Sequence, residues 1–119
     1  MIPAAKPIIG HEERAAVDRV MASGMVAQGP EVAAFESEFG EICGGRARVA
    51  VNSGTSAQHL GMVAAGIGPG DEVIVPSFTF AATANSVALT GATPVFADIE
   101  PQFFNLDPDA VRAAITPKT

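Results

Sequence analysis

The chain has 119 residues, 48% of them apolar, which suits one small domain with a buried core and excludes a disordered segment. Seven basic residues are scattered among thirteen acidic ones for a net charge of -6, so the clustered Lys and Arg needed to bind a DNA or RNA backbone are missing. No stretch reaches the roughly 18 apolar residues of a membrane span, and the start, Met1-Ile-Pro-Ala-Ala-Lys-Pro, lacks the apolar run of a signal peptide.

A first helix is expected from His11 to Ser23, with Val17, Val20 and Met21 on one face, Glu12 and Glu13 at its positive end, and Gly24 to stop it. After the loop Met25 to Pro30, Pro30 opens a second helix ending near Gly40, whose Phe35 and Phe39 should face a core together. Cys43, the single cysteine, excludes a disulfide framework and fits a reduced, cytoplasmic setting. Beside Gly44 and Gly45 it reads as a packed or idle thiol.

Ala47 to Val51 is short and β-branched and reads as a strand, followed by Asn52-Ser-Gly-Thr-Ser56 and a helix from Ala57 to Ala65. Gly66 to Gly70 is a turn, Glu72 to Pro76 a second strand, Phe80 to Leu89 a helix, Gly91-Ala-Thr a turn and Pro94 to Ala97 a third strand. A last helix runs from about Asp107, its N-cap, through Pro108 to Ile115. Strands alternating with helices of about ten residues predict an α/β fold with a mainly parallel sheet. The chain stops at Thr116-Pro-Lys-Thr119 with no closing element, which reads as a truncated sheet.

The main candidate site is Val51-Asn-Ser-Gly-Thr-Ser-Ala57, where an expected strand gives way to a helix. Such a junction points unpaired backbone N–H groups outward at the positive helix end and suits a phosphate. Gly54 lets the backbone approach an anion, and Ser53, Thr55 and Ser56 add hydroxyls. A plain helix cap explains the same residues equally well. The lysine of a Walker loop is absent, and Gly66-Ile-Gly-Pro-Gly70 precedes a strand instead of following one, so ATP and NAD are disfavoured. At the next strand end, Phe78 and Phe80 flank Thr79, either as ordinary core or, if exposed, as cover for a flat ring.

These segments resemble the DegT/DnrJ/EryC1/StrS family of nucleotide-sugar aminotransferases. Ile2-Pro, Lys6-Pro and Ile9-Gly resemble its N-terminal arm; Gln28-Gly-Pro30 with Phe35-Glu36 resembles its "GP…FE" segment. Asn52 to Ala57 resembles its "SGT-small" loop, Gly68 to Val73 with Pro76 to Thr83 its "GDEVI.P..TF.AT" block, and Gly91 to Asp98 its "GA.PVF.D" block. The resemblance implies the aspartate aminotransferase-like fold (PLP fold type I), with residues 1–30 as helix and arm and residues 31–119 as the front part of the PLP-binding large domain. It further implies that Gly54, Thr55 and Ser56 hold the phosphate of pyridoxal 5'-phosphate (PLP), that Phe80 stacks on its ring, and that Phe78 is supporting core. Asp98 is expected to end the third strand, because the family's pyridine-nitrogen aspartate lies in a later motif.

The family's cofactor-bonding lysine also lies downstream; Lys6 and Lys118, the only lysines, do not match it, so this chain alone is expected to be inactive. His11 and His59 are read as structural or exposed. The implied partners are a keto nucleotide-sugar, an amino-acid donor such as glutamate, and a second copy in a homodimer. Two rivals stay open: a PLP-dependent sugar dehydratase or regulatory relative, and a non-enzymatic α/β module for a phosphorylated ligand.

Overall fold

The computed structural model describes residues 5–119; Ile2 and Pro3 of the arm lie outside the described residues. Contacts group the chain into two units, Met1–Ala50 and Val51–Thr119.

In the first unit, helix α1 spans His11–Ser23. Glu13 reaches back to the Gly10 N–H at 2.6 Å and satisfies a donor that the helix start leaves orphaned. Gly24 ends α1 in the left-handed region at φ 71°, donating to the Met21 carbonyl at 3.2 Å. Helix α2, Pro30–Ile42, begins with Pro30 after an extended Gly29. The rings of Phe35 and Phe39 stack with centroids 5.7 Å apart, as their spacing demands. They cover each other and no core: both stay about half exposed, as Val17 and Met21 do, because this unit has no sheet to lay over them.

The strand expected over Ala47 to Val51 does not form. β-branched residues favour a strand only where a neighbour completes the ladder, and Val49 stands 81% exposed with none beside it among the described residues. One side chain holds the segment instead. Glu36 Oε1 accepts the Ala50 N–H at 2.7 Å from a half-buried position on α2. Glu36→Ala should therefore cost about 1.5 kcal/mol, the worth of a hydrogen bond to a charged group. Hydrogen exchange at Ala50 should accelerate roughly tenfold, with α2 otherwise unchanged.

The second unit is built from helix α3 (Gly54–Ala64), strand β1 (Glu72–Pro76), helix α4 (Ala82–Leu89), strand β2 (Thr93–Ala97) and helix α5 (Pro108–Ala114). The strands pair in parallel, Glu72 opposite Thr93 through Pro76 opposite Ala97, with α4 as the crossover. Parallel pairing buries strands on both faces. Val75, Val87 and Ala92 form the core, with Met62 and Ile67 packed around them. Gly91 makes the turn into β2 at φ 84°, and a Cβ there would lie 2.9 Å from Pro69 Cγ.

The tail returns to β1. Lys118 C=O accepts the Glu72 N–H at 2.8 Å, and Thr116 Oγ1 donates to Glu72 Oε2 at 2.5 Å. Asp71 C=O and the Ser77 N–H face β2, so Glu72, out of phase with both, points to the opposite edge of β1. Lys118 therefore lies beside the start of β1 on the side away from β2.

Between β2 and α5, Glu100 folds a tight loop around its own carboxylate, which accepts N–H groups from Gln102 at 2.7 Å, Phe103 at 2.9 Å and Asn105 at 3.1 Å. These bonds let Phe104 sit at φ 60°, a left-handed conformation that costs about 1 to 2 kcal/mol for a residue with a side chain. Phe103's N–H, ahead of those of Gln102 and Asn105, holds the Glu100 carboxyl below its ordinary value of 4.5. A carboxyl depressed in the folded loop adds stability that is present above pH 4.5 and is lost as acid protonates it below that value. Protection of the Phe103 amide, its exchange taken relative to the intrinsic rate at the same pH, should accordingly fall as the pH drops through that acid window, and Glu100→Ala should abolish that fall. A Phe103 protection factor unchanged by acid in the wild type would contradict the clamp.

A candidate anion cradle at the start of α3

α3 begins at Gly54, not at Ala57 as the sequence suggests, because Ser53 is its N-cap: Ser53 Oγ accepts the Ser56 N–H at 3.1 Å. The candidate phosphate residues are thus the first turn of the helix itself. The Gly54 and Thr55 N–H groups have no hydrogen-bond partner among the described residues. Two unpaired donors at the positive end of an eleven-residue helix attract negative charge. Above Gly54 the space is open, since a Cβ built there would meet nothing within 4 Å. No acidic residue occupies the first turn. The donor set and the open approach fit a phosphate group.

Ser56 is placed differently from its neighbours. Its N–H is spent on Ser53, and its hydroxyl donates to Asn52 Oδ1 at 2.8 Å.

Phe80 lies just before α4 and is 81% exposed, so the core makes no use of its ring. Phe78 is not supporting core: it is 69% exposed and tilts against Phe104 with centroids 5.9 Å apart. At the end of β1 the chain turns straight into a loop, which leaves no layer to bury it. Asp98 follows the last residue of β2, as expected, and ties the two strand ends together by accepting from Ser77 Oγ at 3.0 Å and from the Ile99 N–H at 2.8 Å.

One residue that the sequence did not single out connects the cradle to the segment bearing Phe80. Ser86, fully buried on α4, donates to the Ala82 carbonyl at 2.7 Å and stands 3.3 Å from both the Thr55 carbonyl and Gln58 Oε1. The available signal was a serine directly before Val87 in the short helix Ala82–Leu89. Nearby, an apolar groove of about 380 Å³ runs between α3 and β1, lined by Ala57, Met62, Ile67 and Val75 among others, with no titratable group.

The lysines do not complete the site. Lys118 is beside Glu72 at the start of β1, whereas Ser77 to Phe80 follow its end, roughly 13 Å further along a strand. Lys6 belongs to the first unit and is exposed. His11 is exposed, His59 half-buried on α3, and Cys43 half-buried at the end of α2. No group of three His, Cys, Asp or Glu residues among the described residues could hold a metal ion.

Comparison with known proteins matches residues 7–119 to one family. The chain belongs to the DegT/DnrJ/EryC1/StrS aminotransferase family. It is 49% identical over 118 residues to the spore coat polysaccharide biosynthesis protein SpsC of Bacillus subtilis (strain 168), covering 99% of this chain and 30% of SpsC. Among solved structures, DesV from S. venezuelae is 45% identical with a TM-score of 0.80, over 91% of this chain and 30% of DesV. A Streptococcus pneumoniae protein assigned as a sugar aminotransferase, in its PLP form, is 36% identical with a TM-score of 0.90, over 99% of this chain and 30% of that one. The fold is therefore the one that family members adopt over this stretch, and the chain spans about 30% of the length of these relatives.

Proposed function

We propose that this chain supplies the phosphate-binding front of a PLP-dependent aminotransferase that moves an amino group from an amino acid, glutamate first, to a keto nucleotide-sugar. The supporting observation is the pair of unpartnered N–H groups, Gly54 and Thr55, beneath open space at the start of α3. Gly54 and Thr55 would grip the phosphate, and Phe80 would lie over the ring. Residues 1–30 would serve as arm and helix and residues 31–119 as the front of the large domain, in a cytoplasmic homodimer.

Bound there, the cofactor would supply an aldehyde to carry the amino group and a conjugated ring to take up electrons. This chain's residues would bind and orient it; with Lys118 at the opposite end of β1 from the segment bearing Phe80, the residue that bonds the aldehyde would come from elsewhere in the whole protein. The test is to add PLP to the full-length protein, follow the near-ultraviolet absorbance of the bound cofactor, and then assay amino transfer from glutamate to a keto nucleotide-sugar. A full-length protein that stays colourless defeats the proposal. One that binds PLP but transfers no amino group points to the dehydratase or regulatory relatives.

A further inference from the structure

Among the described residues, Phe104 is the one non-glycine residue in the left-handed region, at φ 60°. A bulky side chain rarely adopts that conformation, and where it persists the surroundings hold it there. Here the Glu100 carboxylate gathers the Gln102, Phe103 and Asn105 N–H groups, the Phe104 N–H donates to the Glu100 carbonyl at 3.1 Å, and a bridge between Ile99 and Leu106 closes the loop behind them. The ring gains no core by this, since Phe104 stays 59% exposed. Its aromatic neighbour is Phe78, at a centroid distance of 5.9 Å.

Phe78 lies in the short segment from the end of β1 to α4 that also carries Phe80. The rest of that segment is tied by hydrogen bonds. Ser77 donates to the Ala97 carbonyl and to Asp98, Thr79 pairs with the Thr83 hydroxyl, and the Phe80 carbonyl accepts the Thr83 N–H at 3.0 Å. Phe78 enters none of these bonds; the Phe104 ring is what it leans on. We infer that Glu100 and Phe104 are positioning residues for Phe80: the strained loop seats Phe104 against Phe78 and so sets the path of the segment that presents Phe80. This rests on the reading above that Phe80 lies over the cofactor ring, and adds to that site a loop from beyond β2.

The full-length protein tests it. Phe104→Asn keeps a residue at ease in the left-handed region and removes the ring; Phe104→Tyr keeps the ring; Phe78→Ala removes the other half of the contact. Two signals are read: protection of the Thr83 amide without cofactor, and PLP affinity with the circular dichroism induced in the bound cofactor. Phe104→Asn and Phe78→Ala should each lower Thr83 protection about fivefold, the scale of one aromatic pair. PLP affinity should fall by a similar factor with a weaker dichroism band, because an unseated segment must be ordered on binding. The double variant should lose no more than either single one, Glu100→Ala should match Phe104→Asn, and Phe104→Tyr should match the wild type. A Phe104 that serves only the stability of its own loop would leave the Thr83 and cofactor signals of Phe104→Asn unchanged, and that result overturns the inference. If the wild-type protein takes up no PLP, or Phe80→Ala binds it as tightly as the wild type, the reading that Phe80 covers the ring falls and this inference with it. If Phe80→Ala weakens binding and Phe104→Asn does not, this inference alone falls.

Discussion

Gly54→Glu should weaken PLP binding about a hundredfold while leaving the fold intact. Gly54 is the first residue of α3, its φ lies outside the left-handed region, and a Cβ would meet no atom within 4 Å. The helix therefore has no steric objection to a side chain, and an acidic one in the first turn even suits the helix dipole. The ligand does object. A carboxylate placed where the two free N–H groups point competes for them and repels the phosphate, and like-charge contacts cost several kcal/mol, of which about 3 kcal/mol is a factor of roughly a hundred. Gly54→Ala isolates the steric part: about tenfold weaker binding, with melting temperature unchanged or slightly raised because Ala is the better helix former. Isothermal titration and thermal melts on the same samples separate the two effects. Unaltered PLP affinity in Gly54→Glu would remove the cradle from this position.

Val87→Asp should be the most damaging single substitution to the second unit. Val87 is 1% exposed and packs with Val75 and Ala92 between α4 and the sheet. Removing two methyl groups in Val87→Ala should cost about 2 kcal/mol, the lost transfer free energy plus a small cavity. Val87→Asp adds an unpaired charge to the same place, with no basic side chain in the core cluster to receive it. The expected cost is on the order of 4 kcal/mol, a large share of the 5 to 15 kcal/mol that holds a typical domain together. Chemical denaturation should show the midpoint of Val87→Ala lowered and that of Val87→Asp lowered about twice as far. An aspartate variant no worse than the alanine one would mean that water reaches this core.

Residues whose behaviour is settled by neighbours in sequence were readable without a structure. Gly24 and Pro30 punctuate helices wherever they stand, Asp107 caps α5 by accepting the Asp109 N–H at 2.9 Å, and β1 and β2 fall within a residue of expectation. What failed depended on partners distant in sequence. Val49 and Val51 have the composition of a strand but no ladder, and Phe35, Phe39 and Phe78 have the composition of core but no layer above them. The start of α3 was misplaced because Ser53 was read as a phosphate ligand as well as a cap, and in the structure its oxygen serves the helix. Glu36 and Ser86 were not seen as fasteners, since each acts on backbone that only folding brings within reach.

Ser86 has a thermodynamic consequence. A ligand that binds the N–H groups of Gly54 and Thr55 requires those residues to be helical, so occupancy stabilises α3 against local opening in proportion to RT ln(1 + [L]/Kd). The buried hydroxyl of Ser86 lies against the carbonyl of that same Thr55 while also bonded to Ala82 on α4. Opening α4 disturbs the loaded turn, and the free energy of occupancy is shared between the two helices. Amide exchange along Ala82–Leu89, which makes no proposed contact with the phosphate, thereby becomes a gauge of whether the site is filled.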